Sequence, residues 1–138
     1  MTRSRVRWRL PEGEGFNLAT ASAGLLLAIP GAMWLVARAP TTLAAWTLGG
    51  YGASLVLLFA ATLLHHANPA SVALRRLDHA SVYAAIVGTC APFCLLVAPG
   101  PASYACLAVV GALCAAGVAL KLLAPFTSDG RNLWLYLP

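Results

Sequence analysis

Residues 80–120 read ASVYAAIVGTCAPFCLLVAPGPASYACLAVVGALCAAGVAL, a run without a single charged side chain. Crossing the hydrocarbon core of a bilayer, about 30 Å thick, takes about 20 residues of helix. Only helices and closed barrels satisfy their backbone groups in lipid. The run is about twice the required length, and Pro99-Gly100-Pro101 falls near its middle, where it breaks a helix and sets a turn. Two spans joined by a tight turn follow, placed at 79–98 and 102–123.

Working toward the N-terminus, Arg75, Arg76 and Asp78 interrupt the apolar pattern, and Asn68-Pro69 is a helix-stop signal. A second span is placed before it at 43–66. Ala39-Pro40-Thr41-Thr42 forms a short turn, and no charge occurs between Glu14 and Arg38, which gives a first span at 16–37. Pro30-Gly31 lies inside that span and is expected to bend it. Ala37-Arg38-Ala39 could serve as a signal-peptide cleavage site, but the apolar region before it exceeds the about 7–15 residues of such signals. The segment is read as an uncleaved helix. Residues 1–15 form a basic arm carrying Arg3, Arg5, Arg7 and Arg9. At the other end, 132–138 is too short to cross, and Trp134 and Tyr136 suit the headgroup level. This stretch reads as the start of a fifth span, so the 16–138 transmembrane domain is expected to be C-terminally incomplete.

Composition agrees with an all-α integral membrane protein of four transmembrane helices. Hydrophobic residues make up 60% of the chain and charged residues 9%, against about 25% charged in ordinary soluble domains. So few charges cannot coat a water-facing surface. The net charge of +5 is distributed as topology signals and headgroup contacts, not as the folded basic patch that nucleic acid requires. With the N-terminus in the cytoplasm, eight of the 9 Lys and Arg lie on the inner side and Arg38 alone on the outer. That bias predicts a cytoplasmic N-terminus in a bacterial-type plasma membrane, with the lipid bilayer as partner and no nucleic acid. Cys90, Cys94, Cys106 and Cys114 all sit in apolar stretches. The four-residue spacing of Cys90 and Cys94 could hold a metal, but cysteine also packs as a small apolar residue, and that reading is preferred.

Thr62 and His66 are four apart and share a face at the cytoplasmic end of the second span. Asp78 and His79 open the third span at the same depth. A hydroxyl, an imidazole and a carboxylate therefore converge, and ionisable groups in such a place suggest a site. The structural alternative is that Asp78 sits in a first helical turn, where it favours the helix dipole, caps backbone donors or pairs with Arg75 or Arg76. Adjacent helix positions point about 100° apart, so each helix offers one ligand, His66 and Asp78. His65 is expected to face headgroups or a neighbouring helix.

Four stretches resemble the hemolysin III family, the bacterial branch of the superfamily that includes the progestin and adiponectin receptors. Glu14-Gly15-Phe16-Asn17 with Thr20 and Gly24 is similar to that family's E-x-x-N-x-x-T-H-x-x-G. Tyr51-Gly52-Ala53-Ser54-Leu55, through Thr62-Leu63-Leu64-His65-His66, resembles its Y-G-x-S-L…S-x-x-x-H. Leu74-Arg75-Arg76-Leu77-Asp78-His79-Ala80 resembles L-R-R-L-D-H-[AS], and Gly88-Thr89-Cys90-Ala91-Pro92-Phe93 resembles G-T-Y-T-P-F. The four occur in order and cover the first four of the family's seven spans.

The resemblance implies a membrane protein that is membrane-active or cytolytic. As the second reading it implies a zinc-dependent amide or ester hydrolase acting on a lipid substrate. In the superfamily the second-span histidine binds zinc together with two histidines of a last-span H-x-x-x-H, and the third-span aspartate lies beside the metal and its water. By position, His66 is the implied metal ligand, Asp78 the catalytic carboxylate and Thr62 the accompanying hydroxyl. Two departures stand out: Ala21 replaces the histidine of the first motif, and no H-x-x-x-H occurs in the chain. A catalytic zinc takes three protein ligands and an open position, so Zn2+ is expected to bind weakly or not at all.

The stripe of Gly111, Ala115 and Ala119 lets helices approach closely, and packing within one chain is its expected role.

Overall fold

The computed structural model describes residues 13–123. Four helices follow one another: α1 (Gly15–Ala37), α2 (Thr42–Ala67), α3 (Val72–Pro92) and α4 (Pro101–Leu123). A π-helical segment, Phe93–Val97, prolongs α3. Among the described residues there is no strand. All four helices, with α3 counted to Val97, are long and apolar enough to cross a membrane. The chain runs up and down through short connections, so α1 and α3 start at the end where α2 and α4 finish. This is the Glu14 end; the opposite one is the Arg38 end.

Local chemistry sets the boundaries. The Thr41 hydroxyl accepts the Ala44 N–H at 3.1 Å and the Ser71 hydroxyl accepts the Leu74 N–H at 3.3 Å, each occupying an otherwise orphaned donor of a first turn. α2 stops at Ala67, where the Asn68 N–H closes on the carbonyls of Leu64 and His65 and Pro69 follows. α1 runs through Pro30 without ending there. At Pro92 the missing N–H removes one bond of the ladder. Beyond it the ladder widens, and the Ala98 N–H reaches the Phe93 carbonyl at 2.9 Å.

The third helix differs from the span expected at 79–98. It starts at Val72, capped by Ser71, so Asp78 lies about two turns inside it and not in a first turn. Charge ends an apolar run but not a helix: Leu74, Arg75, Arg76 and Leu77 are all good helix formers. The capping role considered for Asp78 is therefore set aside. The other expected boundaries, 16–37, 43–66 and 102–123, fall within one residue of the helices. The basic arm up to residue 12 and the expected fifth span at 132–138 lie outside the described residues.

Packing follows the chain. α1 packs on α2, α2 on α3, and α3 on α4, while α1 and α4 share no packed interface. The buried positions are small: Ala21, Ala28, Ala44, Thr47, Ser54, Ala61, Ala80, Ser81, Ala85 and Cys114. Large apolar side chains point outward instead, with Leu27 74% and Leu113 68% exposed. This inverts the pattern of a water-soluble protein and suits lipid. Lipid tails are as apolar as leucine, so close backbone approach and not apolar burial draws the helices together. A methyl group added at Gly52 would collide with Ala32, and one at Gly88 with Ser54. These two glycines set the α1–α2 and α2–α3 spacing.

Among the described residues nothing packs on the Gly111, Ala115 and Ala119 stripe. Nothing described lies within 4 Å of a Cβ built on Gly111, and Ala115 and Ala119 are exposed. The fourth helix turns this stripe away from α3 because the seam is filled from its other side, where Gly117 meets Tyr83 and Cys114 is buried.

Candidate functional site

Three helices bring the side chains of the candidate site to the Glu14 end. α2 presents Thr62 and His66 one turn apart, α3 brings Asp78, and the start of α1 brings Glu14 and Asn17. They form two pairs. The Thr62 hydroxyl donates to Asp78 Oδ1 at 2.6 Å, joining α2 to α3. His66 Nδ1 meets Glu14 Oε2 at 2.6 Å, joining α2 to α1.

A second bond orients the Glu14 carboxylate, and Ser81 closes a local bond within α3. Asn17 Nδ2 donates to the same Glu14 Oε2 at 3.0 Å, and the Ser81 hydroxyl donates to the Asp78 carbonyl at 2.6 Å. Glu14 stands just before α1, with its side chain 28% exposed. The hydrogen bond from Asn17 holds its carboxyl below the usual carboxylate range, and the bond and charge of His66 act in the same direction. Partial withdrawal from water opposes them.

The expected convergence is thus realised in part. Thr62 and Asp78 meet, but His66 turns to α1 and pairs with Glu14 instead of joining them. Because α1 packs on α2 and starts where α2 ends, Glu14 reaches the His66 ring before anything on α3 does. His65 is half-buried, its ring centroid 5.2 Å from that of His66 with the planes tilted by 39°. Its Nδ1 has no hydrogen-bond partner. The sequence signal for Glu14 is its position: in an up-and-down hairpin the start of the first helix faces the end of the second. Asn17 follows it by three residues, the spacing that stacks two side chains on one face.

Between α1 and α2 this end opens into a recess of about 230 Å³ lined by Asn17, Thr20, Ala21, Leu58, Phe59, Thr62 and His66. The Thr20 hydroxyl returns to its own helix, to the carbonyls of Phe16 and Asn17 at 3.0 Å each. Phe59 also borders a second, apolar groove of about 310 Å³ that follows the α1–α2 seam past Gly24, Ala28 and Gly31 to Leu35 and Tyr51. The recess and the groove thus lie side by side along α1 and α2, with Phe59 in the wall of both.

The donor set does not fit a catalytic zinc. Among the described residues no three His, Cys, Asp or Glu side chains gather where one ion could reach them, and a catalytic site takes three. His66 has Glu14 as its nearest acidic partner, and Asp78 is engaged by Thr62.

Comparison with known proteins agrees with this architecture. The haemolysin-III related family is matched over residues 12–137. Hemolysin-3 of Bacillus cereus is 33% identical over 112 residues, which cover 77% of this chain and 51% of that protein. The hemolysin-3 homolog of Bacillus subtilis (strain 168) is 32% identical over 113 residues, 77% of this chain and 53% of the homolog. The chain spans about half the length of these curated relatives. No solved structure matches it. With its four apolar helices and a match that runs nearly end to end, this membrane protein belongs to the haemolysin-III related family.

Proposed function

We propose that the chain is a membrane-active protein that permeabilises lipid bilayers, as the hemolysin names of its relatives suggest. The proposal places it in a bacterial-type plasma membrane with the arginine-rich N-terminus and the Glu14 end on the cytoplasmic side. The observation that carries it is the inverted surface: small residues inside, large apolar residues outside. A chain built in this way acts within the bilayer. Two features support the orientation: the bias of Lys and Arg toward the Glu14 end, and Arg38 lying over the Trp34 ring at 5.5 Å, an interfacial pairing at the opposite end. Purified protein reconstituted into dye-loaded liposomes tests the reading. Dye release that rises with protein density is expected; no release at any density contradicts it.

A second reading, hydrolysis of an ester or amide bond in a lipid, is favoured by the recess lying beside the apolar groove, with Phe59 in the wall of both. There an acyl chain would lie along the α1–α2 seam with the scissile group near Thr62. Asp78, oriented by the Thr62 hydroxyl, would take the proton of an attacking water. His66 would be the metal ligand by family position, and the further donors that zinc requires are not among the described residues. Metal analysis of the purified 138-residue chain separates the readings. Stoichiometric zinc that is lost in His66→Ala supports hydrolysis, and zinc-free protein ends that reading for this chain.

A further inference from the structure

The apolar groove on the α1–α2 seam has a definite length and a cation at one end. Gly24, Ala28, Gly31 and Leu35 form its α1 wall, spaced by alternating four and three residues, which keeps them on one helix face. Arg38 continues that spacing, three residues beyond Leu35 at the cap of α1. From Gly24 to Leu35 the helix rises about 16 Å. One leaflet of a hydrocarbon core about 30 Å thick offers about 15 Å. The middle of α1 (Gly15–Ala37) falls at Leu26, so the groove runs from near mid-membrane to within one turn of Arg38. Small residues keep it open: nothing lies within 4 Å of a Cβ built on Gly31. Arg38 is exposed, and its guanidinium carbon lies 5.5 Å from the centroid of the Trp34 ring. That pairing holds the cation at interface level.

We propose that this groove and Arg38 form a binding site for one anionic diacyl phospholipid, with an acyl chain in the groove and the phosphate on the Arg38 guanidinium. An apolar slot one leaflet long that ends at a cation complements a lipid in both shape and charge. Along Gly24, Ala28 and Gly31 the hydrocarbon chain supplies the van der Waals contacts that larger side chains would otherwise make. At the mouth the guanidinium fork donates to two phosphate oxygens. A lipid with an ammonium in its own headgroup presents the same phosphate at zero net charge, so the anionic lipid is preferred. Among the described residues Arg38 is the only Lys or Arg at this end, which gives the preference a single address. In the orientation proposed above, the bound lipid belongs to the outer leaflet. Its headgroup lies at the end opposite Thr62 and His66, so it is a structural lipid and not the substrate of the hydrolytic reading.

The test places the full chain in phosphatidylcholine nanodiscs with a trace of a probe lipid that carries a diazirine midway along one acyl chain. The probe is either phosphatidylglycerol or phosphatidylcholine. After illumination, label on the groove residues is measured by mass spectrometry relative to label on the exposed Leu113 face of α4, which any lipid reaches. The expected ratio is about fivefold higher for the phosphatidylglycerol probe, the factor that one cation is worth at a membrane surface. Arg38→Gln should bring the two probes level. Gly31→Leu, which fills the groove where a side chain has room, should remove groove label from both. Equal ratios in the unaltered chain, a phosphatidylglycerol preference kept in Arg38→Gln, or groove label kept in Gly31→Leu would each overturn the proposal. So would a groove that neither probe labels, the outcome if a second copy of the chain fills the seam. Comparing the probes on the unaltered chain requires no variant to fold and no bilayer to leak, so the result stands apart from the dye-release test.

Discussion

The two ends of the helical bundle are held by different chemistry. At the Glu14 end hydroxyl, imidazole and carboxylate groups reach from one helix to the next, through Thr62 to Asp78 and His66 to Glu14. Other hydroxyls return to their own backbone: Thr47 to Leu43, Ser54 to Tyr51 and Thr89 to Ala85 toward the middle and the Arg38 end, and Thr20 and Ser81 near the Glu14 end itself. Toward the middle and the Arg38 end the helices are joined by short turns and close glycine contacts. The difference follows from the solvent. In hydrocarbon a hydroxyl that satisfies itself within its helix is inexpensive to embed, whereas groups that reach across helices are placed where water and headgroups remain near. Polar cross-links between helices therefore gather at the Glu14 end, and small-residue packing sets the spacing elsewhere.

If packing governs the middle, the largest effect should come from there. Gly88→Leu, which drives a side chain into Ser54, is expected to cost about 1–3 kcal/mol in unfolding from mixed micelles by SDS. An unchanged midpoint would show that the α2–α3 seam is loose. Asp78→Ala should come next, at about 1 kcal/mol in the same assay, because it removes the acceptor of an interhelical bond. The liposomes that report dye release would show whether that end also serves function. Glu14→Gln should cost less than Asp78→Ala in the same assay, since this carboxylate is partly exposed and the replacement retains a hydrogen-bonding oxygen. The smallest effect is expected for Gly111→Leu, within about 0.5 kcal/mol of the parent protein, because open space surrounds that position. A large loss there would mean that something covers the outward face of α4.

Most of the fold was legible in the sequence because the membrane makes uncharged length decisive. Pro99-Gly100-Pro101 and Asn68-Pro69 mark real helix ends, and three of four spans fall within a residue of their helices. The start of α3 was not legible in that way. Hydropathy stops at Asp78, whereas the helix is fixed by the Ser71 cap and by charged residues that favour helix as readily as apolar ones. The candidate site was legible in its residues and not in its pairing. Thr62, His66 and Asp78 do lie at one end, but which neighbour each contacts depends on helix rotation, which spacing along one helix does not report. The Glu14 partnership required knowing that α1 packs on α2. The outward turn of Gly111, Ala115 and Ala119 has the same cause: a small-residue stripe shows where a helix could approach, not which way it faces.

The central claim is that a side-chain bond between α2 and α3 ties the Glu14 end together. A double-mutant cycle on Thr62→Val and Asp78→Ala, measured by reversible unfolding in SDS, tests it most directly. The Thr62–Asp78 contact at 2.6 Å predicts a coupling energy of about 0.6 kcal/mol or more, the mean for interhelical hydrogen bonds in membranes, with about 1.7 kcal/mol the largest. Strictly additive losses would contradict the account and reduce the two residues to neighbours without a shared role.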